Sequence, residues 1–477
     1  MLTPHEVVKA NYQFPDSIED REYQIEALNN LAPVGRAGYF LDGGCGKTYI
    51  TTCAILYKMV EDNLETTIAA MPPLLVEQWY KWLQVPKHKD GRPLKVLKYV
   101  GPPAKRKALN LEGYDFILMS INLFKSDFDE LMKQLSGKEL ALIVDEGHSI
   151  KNTRTENYRT VKRLLDQEDA HLLTLTATPI TIPLDGYAYI KLNTPTLYRN
   201  QTHFERVHVA GRDFFNKPTH WDNLDLLKEN LALSSVTVKR REVSKDLPPV
   251  TFAPLHYDLV PEHQRLYNRL LEDEILKLPD GGKIDATQVN NMYNKSQQIV
   301  CNWQHFSGDD SKVAQIFAIA EEILSNTTGK LVVVANYRMT NQSIVEKLAK
   351  YNAVAIFGDV SPKQKQKNKD RFIEDPTCRV LAIQPSSGGF GVDGLQHVCS
   401  EMLFFEMPII PKDFHQVVWR LDRDGQTEPV LVHIAVAQNT IQERLLENVL
   451  NKDELVGKVQ RNVFNLRNEL FGSDSSK

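Results

Sequence analysis

The stretch VGRAGYFLDGGCGKTYITTCAIL, residues 34–56, decides the fold of this 477-residue chain. The apolar run Val34–Leu41 predicts a buried β-strand, and the apolar pattern over Tyr49–Leu56 predicts a helix. Glycines in the loop Gly43–Thr48 allow successive backbone N–H groups to turn towards phosphate oxygens, and the next helix adds the partial positive charge of its N-terminus. The stretch therefore predicts a strand, a phosphate-binding loop and a helix, in that order.

The loop also carries the side chains that a bound nucleoside triphosphate requires. Lys47 is expected to reach the β- and γ-phosphates, and Thr48 is expected to hold Mg²⁺. The backbone groups that cradle the phosphates are expected to come from Gly43, Gly44, Cys45 and Gly46. Leu41 stands where the strict GxxxxGK pattern has its first glycine, which favours the looser helicase form of the loop. Taken alone, the loop leaves open a glycine-rich turn without a ligand.

A second apolar run ends in two adjacent carboxylates. Leu140–Val144 predicts a buried strand, and Asp145 and Glu146 follow it directly. Asp145 is expected to hold Mg²⁺, largely through water, and Glu146 is expected to polarise the attacking water. His148 is expected to sense the γ-phosphate rather than to bind metal. An isolated Asp-Glu pair is usually a solvated face, but the pair combined with the loop indicates ATP hydrolysis.

Short apolar runs alternate with amphipathic stretches along most of the chain, which predicts βαβ units and parallel sheets covered on both faces. In the first half the further runs are Thr66–Met71, Phe116–Ser120 and His171–Thr176. In the second half they are Leu331–Ala335, Ala353–Phe357, Val380–Ile383, Met402–Glu406 and Val430–Ala435. The chain is therefore predicted to contain two α/β lobes.

The region between the two series has a different character. Lys239–Val250 is basic and then proline-rich, which is typical of a linker, whereas Pro261–Phe306 predicts helices with a turn at Gly281-Gly282. The predicted domains are a first lobe at 1–240, a linker and helical insertion at 241–310, a second lobe at 311–450, and a C-terminal helix and tail at 451–477.

The composition narrows the class of protein. The net charge of −4 argues against a small basic DNA-coating module, so any DNA contact must come from a local groove. Five cysteines without a CxxC pair argue against a disulfide framework or a zinc site. The polar N-terminus does not resemble a signal peptide, and no run approaches the ~18 apolar residues of a membrane span. These features predict a cytoplasmic protein, in the host cytoplasm if the chain is viral.

Segments in a fixed order resemble the Swi/Snf family of superfamily-two, helicase-like, DNA-dependent ATPases. In the first half they are Arg21–Gln24 (the adenine-reading motif), Ala69–Trp79 (motif Ia), Leu142–Asn152 (the DEAH-type box and its Ile-Lys-Asn tail) and Leu173–Ile180 (motif III). In the second half they are Lys330–Tyr337 (motif IV), Ser387–Gly394 (motif V), Gln416–Gln426 (motif VI) and Asn439–Glu443 (the closing segment). The departures from the family are Asn336 for Gln, Asp393 for Asn and Asp422 for His.

The resemblance implies a fold and a set of site residues. The fold is two RecA-like parallel-sheet lobes in tandem, with a small helical insertion and a C-terminal helix. Gln24 and Gln416 would contact the nucleotide, and Arg420 and Arg423 would be arginine fingers that reach the γ-phosphate. The residues expected at the nucleic acid are Pro72, Gln78, Ser120, Asn336, Tyr337 and Gly388. Further phosphate contacts are considered for the basic runs Lys105-Arg106-Lys107 and Lys363, Lys365, Lys367 and Lys369, although solvated helix faces explain both runs better.

The function expected from these residues is that of a minimal, monomeric motor core, viral or bacterial. ATP hydrolysis with Mg²⁺ would drive movement on DNA, with a duplex as the expected track, and no membrane would be involved. Another class of P-loop ATPase is disfavoured by the Gln416-x₃-Arg420-x₂-Arg423 pattern. An ATP-gated nucleic-acid-binding or scaffold protein and an RNA-directed helicase stay open, as does strand separation.

Overall fold

The computed structural model describes residues 2–73, 75–180, 182–214, 216, 218–243, 247–273, 275–277, 283–285, 289–307, 314–385, 393–408 and 411–450. The chain divides into two compact units, Met1–Lys245 and Asp246–Lys477. The predicted C-terminal helix and tail at 451–477 and the predicted turn at Gly281-Gly282 lie outside the described residues.

The first unit is built on a seven-stranded parallel sheet. Its strands are β2 (Arg36–Leu41), β3 (Thr66–Met71), β5 (Val96–Lys98), β6 (Phe116–Ser120), β7 (Leu140–Asp145), β8 (His171–Leu175) and β11 (Ser235–Val238). They lie in the order β11-β2-β8-β7-β3-β6-β5, and every pairing is parallel. Two short antiparallel pairs accompany this sheet: β1 (Tyr12–Gln13) with β4 (Lys87–His88), and β9 (Val209–Arg212) with β10 (Pro218–Trp221).

Helices connect these strands and cover both faces of the sheet. They span Pro4–Asn11, Glu22–Leu31, Lys47–Glu61, Leu75–Trp82, Pro103–Lys107, Ile121–Ser126, Phe128–Leu135, Glu156–Gln167, Pro183–Asn193, Gln201–His208, Leu224–Ala232 and Arg240–Val243, with a 3₁₀ turn at Gly147–Ile150. Side chains of β7 alternate between two hydrophobic cores, since Ile143 packs in one and Leu142 and Val144 pack in the other. Burial on both faces explains why these strands are continuous apolar runs in the sequence.

The second unit contains a six-stranded parallel sheet. Its strands are β12 (Val250–Tyr257), β15 (Leu331–Val334), β16 (Val354–Ile356), β17 (Val380–Ile383), β18 (Glu401–Phe404) and β19 (Val430–Ala437), in the order β12-β19-β18-β15-β17-β16. A short antiparallel pair, β13 (Ile275–Lys277) with β14 (Lys283–Asp285), interrupts the predicted helical region. The helices span Pro261–Asp273, Val289–Cys301, Trp303–Phe306, Ile316–Asn326, Arg338–Lys347, Pro362–Glu374, Pro411–Val418 and Ile441–Leu450, with 3₁₀ turns at Ala349–Tyr351 and Leu395–His397.

The helices of the predicted insertion belong to the hydrophobic core of this second unit. Tyr267 and Leu270 of one helix and Ile299 of another pack in the same core as Leu331 of β15. The Tyr267 hydroxyl also accepts a hydrogen bond from the Ile441 backbone N–H at 2.8 Å. The insertion is therefore anchored on the parallel sheet.

The predicted fold class, two parallel-sheet α/β lobes, is confirmed. Three strands of the two parallel sheets were not predicted from the sequence, namely β5, β11 and β12, and each lies at an edge of its sheet. The three short antiparallel pairs were not predicted either. Most side chains of these three strands at the sheet edges are only partly buried, so the strands lack a continuous apolar run; β12 even contains Pro254, which an edge strand tolerates. Among the described residues, no helix is long and apolar enough to cross a membrane.

Candidate nucleotide-binding site

The glycine-rich loop lies between β2 and the helix Lys47–Glu61. Gly44 and Gly46 have φ angles of 81° and 78°, the left-handed region in which glycine is favoured. At Gly46 space is also lacking, because a Cβ atom there would lie 2.3 Å from Nε2 of Gln24. Both the turn and the close approach therefore require glycine at position 46.

Gln24 is buried against this loop. Its Nε2 donates to the carbonyl oxygen of Cys45 at 3.4 Å, and its Oε1 accepts from the backbone N–H of Arg21 at 3.2 Å. The Tyr23 hydroxyl donates to the same Cys45 carbonyl at 3.3 Å. The residue predicted to recognise adenine is thus attached directly to the predicted phosphate-binding loop. Cys45 itself is buried.

The Lys47 ammonium lies inside the loop. It donates to the carbonyl oxygens of Leu41 at 2.8 Å and Asp42 at 3.2 Å, both at the end of β2. Burial lowers the pKa of Lys47, and the carboxylates of Glu146 and Asp145 oppose that shift. Because the carboxyl ends of parallel strands meet at one edge of a sheet, the loop after β2 and the acidic pair after β7 lie at the same edge.

Asp145 is the last residue of β7 and is held by two donors. Its Oδ1 accepts from the Glu146 backbone N–H at 2.8 Å, and its Oδ2 accepts from the Trp79 indole Nε1 at 2.8 Å. Burial, and then the neighbouring Glu146 carboxylate, raise the pKa of Asp145, while Trp79 and Lys47 act in the opposite direction. Trp79 is buried, and sequence reasoning missed its bond to Asp145.

Glu146 has an unusual backbone conformation. Its φ and ψ angles are 57° and 53°, a left-handed conformation that costs about 1–3 kcal/mol for a residue other than glycine. Its Oε2 lies 3.1 Å from Nδ1 of His148. The next residue, Gly147, approaches Thr174 so closely that an added Cβ would lie 2.3 Å from Cγ2 of Thr174. The backbone carbonyl of Gly147 accepts a hydrogen bond from the Tyr189 hydroxyl at 3.1 Å. These contacts fix the turn that presents Glu146.

Thr48 and Asp145 offer hydroxyl and carboxylate oxygens, the hard donors that Mg²⁺ prefers. Within the part of the chain that the structure describes, each oxygen of Asp145 accepts one hydrogen bond, which leaves each a lone pair for a ligand. Within the described residues, no group of three or more His, Cys, Asp or Glu side chains is arranged to hold a metal ion. The donor set therefore fits a Mg²⁺ ion that arrives with nucleotide phosphates better than it fits a resident metal ion.

In the second unit, Asp393 connects the two predicted arginine fingers. Its Oδ1 accepts from Nη1 of Arg423, and Nη1 of Arg420 lies 3.4 Å from the same oxygen. The three side chains are 18–34% exposed, so water screens these pairs only in part. Gln416 is buried one turn earlier, on the helix Pro411–Val418. Asp393, the departure from the family at this position, thus pairs with the arginines.

The predicted nucleic-acid contacts have varied surroundings. Pro72 and Gln78 are half-buried around the start of the helix Leu75–Trp82. Ser120 is buried, and its hydroxyl caps a helix by accepting from the Leu123 N–H at 3.2 Å. Gly388 and most of the predicted motif V lie outside the described residues.

Asn336 and Tyr337 are tied to a carboxylate that sequence reasoning missed. Both backbone N–H groups donate to Oε2 of Glu406, at 2.6 and 3.0 Å, and the Thr340 hydroxyl donates to Oε1. Burial is the main cause that raises the pKa of Glu406 to about 7. Thr340 in turn accepts from Nδ2 of Asn302 at 2.5 Å, so this network joins motif IV to the helical insertion.

The two basic runs differ from each other. Arg106 is buried and paired with Asp127 at 2.8 Å, so the run Lys105-Arg106-Lys107 does not present three cations to a ligand. The four lysines 363, 365, 367 and 369 lie on the helix Pro362–Glu374, where a spacing of two residues places successive side chains on opposite sides. Neither run therefore forms a single continuous cationic face.

Comparison with known proteins gives consistent similarities. A family model described as the SNF2-related domain matches residues 23–305, more than half of the chain. The "Uncharacterized ATP-dependent helicase YqhH" of Bacillus subtilis (strain 168) is 24% identical over 481 residues, which cover 93% of this chain and 79% of that protein.

Two fungal proteins are similar over a smaller part of their own length. The "TATA-binding protein-associated factor mot1" of Schizosaccharomyces pombe is 24% identical over 533 residues, covering 94% of this chain and 27% of that protein. The "DNA repair and recombination protein RDH54" of Saccharomyces cerevisiae (strain ATCC 204508 / S288c) is 24% identical over 418 residues, covering 76% and 41%. A solved structure, the Sulfolobus solfataricus SWI2/SNF2 ATPase core in complex with dsDNA, has 20% identity and a TM-score of 0.43, covering 95% of this chain and 97% of that chain.

Proposed function

Because the chain belongs to the SNF2-related family, the predicted ATP-dependent helicase-type enzyme is confirmed, and we propose that it is a translocase that moves along duplex DNA. The observation that carries the proposal is one cluster in the first unit. The ammonium of Lys47 lies within electrostatic reach of Asp145 and Glu146 at the carboxyl edge of a parallel sheet. A cation for phosphates, a carboxylate for a metal ion and a second carboxylate for water are the groups that ATP hydrolysis requires.

Each residue of this cluster has a proposed role. Lys47 binds the β- and γ-phosphates, while the backbone of Gly43–Gly46 surrounds them. Thr48 and Asp145 hold Mg²⁺, which neutralises phosphate charge when it is bound with ATP. Glu146 orients the attacking water and takes its proton, and His148, whose Nδ1 lies 3.1 Å from Oε2 of Glu146, senses the γ-phosphate.

Further residues complete the proposed nucleotide site. Gln24 and Gln416 contact the nucleotide, and Arg420 and Arg423 stabilise the charge that develops on the γ-phosphate. Such an arginine is worth ~10³–10⁵ in rate.

The DNA track is supported by the family and by the names of its members. One relative is named for DNA repair and recombination, and another for association with the TATA-binding protein. We propose that Pro72, Gln78, Ser120 and the motif IV backbone at Asn336 and Tyr337 contact phosphates without reading sequence. The motor core is proposed to act as a monomer in the cytoplasm, because five cysteines without a CxxC pair favour a reducing compartment.

ATP turnover with three nucleic acids tests the proposal. We expect stimulation by duplex DNA, less by single-stranded DNA and little by RNA of the same sequence. Stimulation by RNA alone would favour the RNA-directed helicase and reject the DNA translocase. If ATP turnover is the same with and without each nucleic acid, the protein is an ATPase, but the proposed movement along DNA is rejected.

The Glu146→Gln variant tests the chemistry of the site. We expect it to bind ATP but to lose at least ~10²-fold in turnover, since the general base is gone. Glu65→Gln, an exposed carboxylate at the other end of the first unit's sheet, serves as the control and should hydrolyse ATP at the wild-type rate. Wild-type turnover by Glu146→Gln would show that the assigned base is wrong.

A further inference from the structure

Trp79 joins the predicted motif Ia to the proposed Mg²⁺ carboxylate. It lies on the helix Leu75–Trp82, 66 residues before Asp145 in the chain, and its side chain is 1% exposed. Its indole Nε1 donates to Oδ2 of Asp145 at 2.8 Å. A buried indole N–H generally finds a hydrogen-bond partner, and here that partner is the proposed Mg²⁺ carboxylate.

The bond matters because Asp145 is itself almost completely buried. A buried carboxylate is unfavourable unless hydrogen bonds replace its lost water. Its Oδ1 is satisfied by the Glu146 N–H, a local contact that any residue after β7 would provide. Its Oδ2 depends on the indole of Trp79, which therefore fixes the rotation of the carboxylate about its Cβ–Cγ bond.

A second tryptophan on the same helix provides a built-in comparison. Trp82 is only half-buried, and its Nε1 donates to the Thr52 hydroxyl at 2.9 Å. The Thr52 hydroxyl in turn donates to the backbone carbonyl of Thr48 at 2.7 Å, within the helix Lys47–Glu61. The helix Leu75–Trp82 thus carries two indole donors, of which Trp79 donates to a carboxylate and Trp82 donates to a hydroxyl.

We propose that Trp79 is a positioning residue that holds the Asp145 carboxylate in the orientation required to receive Mg²⁺ with the nucleotide. This inference rests on the proposed function, because it assigns Asp145 to Mg²⁺. Hydrogen bonds to the ligands of a metal ion orient them, and the loss of such a bond typically costs 10–100-fold in metal affinity or activity. Trp79 does not touch the nucleotide in this assignment and acts only through Asp145.

The experiment measures nucleotide binding rather than turnover. Binding of a fluorescent ADP analogue to the full chain is titrated with Mg²⁺ present and with Mg²⁺ removed by EDTA. For Trp79→Phe we expect a Kd at least ~10-fold higher with Mg²⁺ and unchanged with EDTA. For Trp82→Phe we expect wild-type values in both conditions. An unchanged Trp79→Phe, or an equal loss with and without Mg²⁺, would overturn the proposal.

A double-mutant cycle separates positioning from packing. In the Asp145→Asn background, adding Trp79→Phe should leave Mg²⁺-dependent binding unchanged, since the carboxylate it orients is gone. An additional loss equal to that in the wild type would assign Trp79 to packing. If Trp79→Phe fails to fold, benzothienylalanine at position 79 keeps the size of the ring and replaces only the N–H by sulfur. It should then reproduce the Mg²⁺-specific loss, and wild-type binding would again overturn the inference.

These outcomes can be separated from those of the proposed function. Wild-type chain that binds Mg²⁺–nucleotide but shows no turnover with any nucleic acid would reject the motor and leave the role of Trp79 measurable. A DNA-stimulated wild type whose Trp79→Phe variant binds Mg²⁺–nucleotide normally would reject the role of Trp79 and leave the motor intact.

Discussion

The carboxylate of Asp393 accepts a hydrogen bond from the guanidinium of Arg423, the second of the two proposed arginine fingers. The first finger, Arg420, lies 3.4 Å from the same oxygen. Arg423 and Arg420 lower the pKa of Asp393 against the effect of its burial, so the group is an anion at neutral pH. A γ-phosphate that recruits these arginines must therefore compete with a carboxylate that the family usually replaces by a neutral amide.

The Asp393→Asn variant tests that competition. Removing the negative charge should release the arginines, so we expect the KM for ATP to fall about threefold to tenfold while kcat is maintained, an effect of about 1 kcal/mol for partly exposed pairs. Steady-state ATPase kinetics at low and high salt measure it, and the difference should shrink as salt screens the wild-type pairs. A large loss of kcat at unchanged KM would instead mean that Asp393 orients the arginines for catalysis.

Gly46→Ala should damage both the loop and its contact with Gln24. The new methyl group would lie 2.3 Å from the Gln24 amide in a backbone conformation that favours glycine, so we expect at least tenfold weaker nucleotide binding and a lower Tm. Gly91→Ala is the matched control, because its φ of 86° is similar but no atom lies within 4 Å of the added Cβ. Equal effects of the two substitutions on nucleotide binding would contradict this account.

Glu406 should give the second unit a recognisable pH dependence. Burial raises the pKa of Glu406 from 4.5 to about 7, so between these values the folded chain binds a proton that the unfolded chain releases. The contribution of Glu406 to the free energy of unfolding is therefore largest at low pH and falls as pH rises, by about 3 kcal/mol in all. The nearby Cys301, Tyr293 and Tyr337 all have raised pKa values and stay neutral in this range.

Chemical denaturation of wild type and Glu406→Gln at pH 5, 6, 7 and 8 measures this effect. Subtracting the free energy of unfolding of the variant from that of the wild type removes the contributions of the other titrating groups. We expect this difference to fall as pH rises, because only the wild type loses stability through Glu406. A difference that does not change with pH would mean that Glu406 titrates normally.

Arg106→Ala should destabilise the first unit without a specific loss of DNA binding. It removes the buried partner of Asp127, so we expect a loss of about 2 kcal/mol in the free energy of unfolding. Lys105→Ala, on the same short helix but exposed, should leave stability unchanged. Thermal unfolding and the salt dependence of duplex DNA affinity distinguish the two roles. A reduced salt slope for Arg106→Ala at unchanged stability would assign Arg106 to DNA after all.

Much of the fold could be predicted because the central parallel strands are buried on both faces. Such strands appear as unbroken apolar runs, and the predicted Thr66–Met71, Phe116–Ser120 and Val380–Ile383 have these bounds in the structure. The strands of the parallel sheets that were not predicted, β5, β11 and β12, are edge strands, and most of their side chains are only partly buried. The pairing of these edge strands depends on neighbouring strands that lie far away in the sequence, so no local sequence pattern predicts them.

The proposed nucleotide site was likewise predictable only in part. The sequence alone determined the loop Gly43–Thr48 and the pair Asp145-Glu146, because backbone turns and strand ends impose local residue patterns. Only the tertiary structure decided that Trp79 holds Asp145, that Asp393 pairs with Arg423, and that Glu406 secures motif IV. These contacts join residues 27–70 positions apart, where the partner of a buried charge is determined by packing and by the cost of lost water rather than by spacing in the chain.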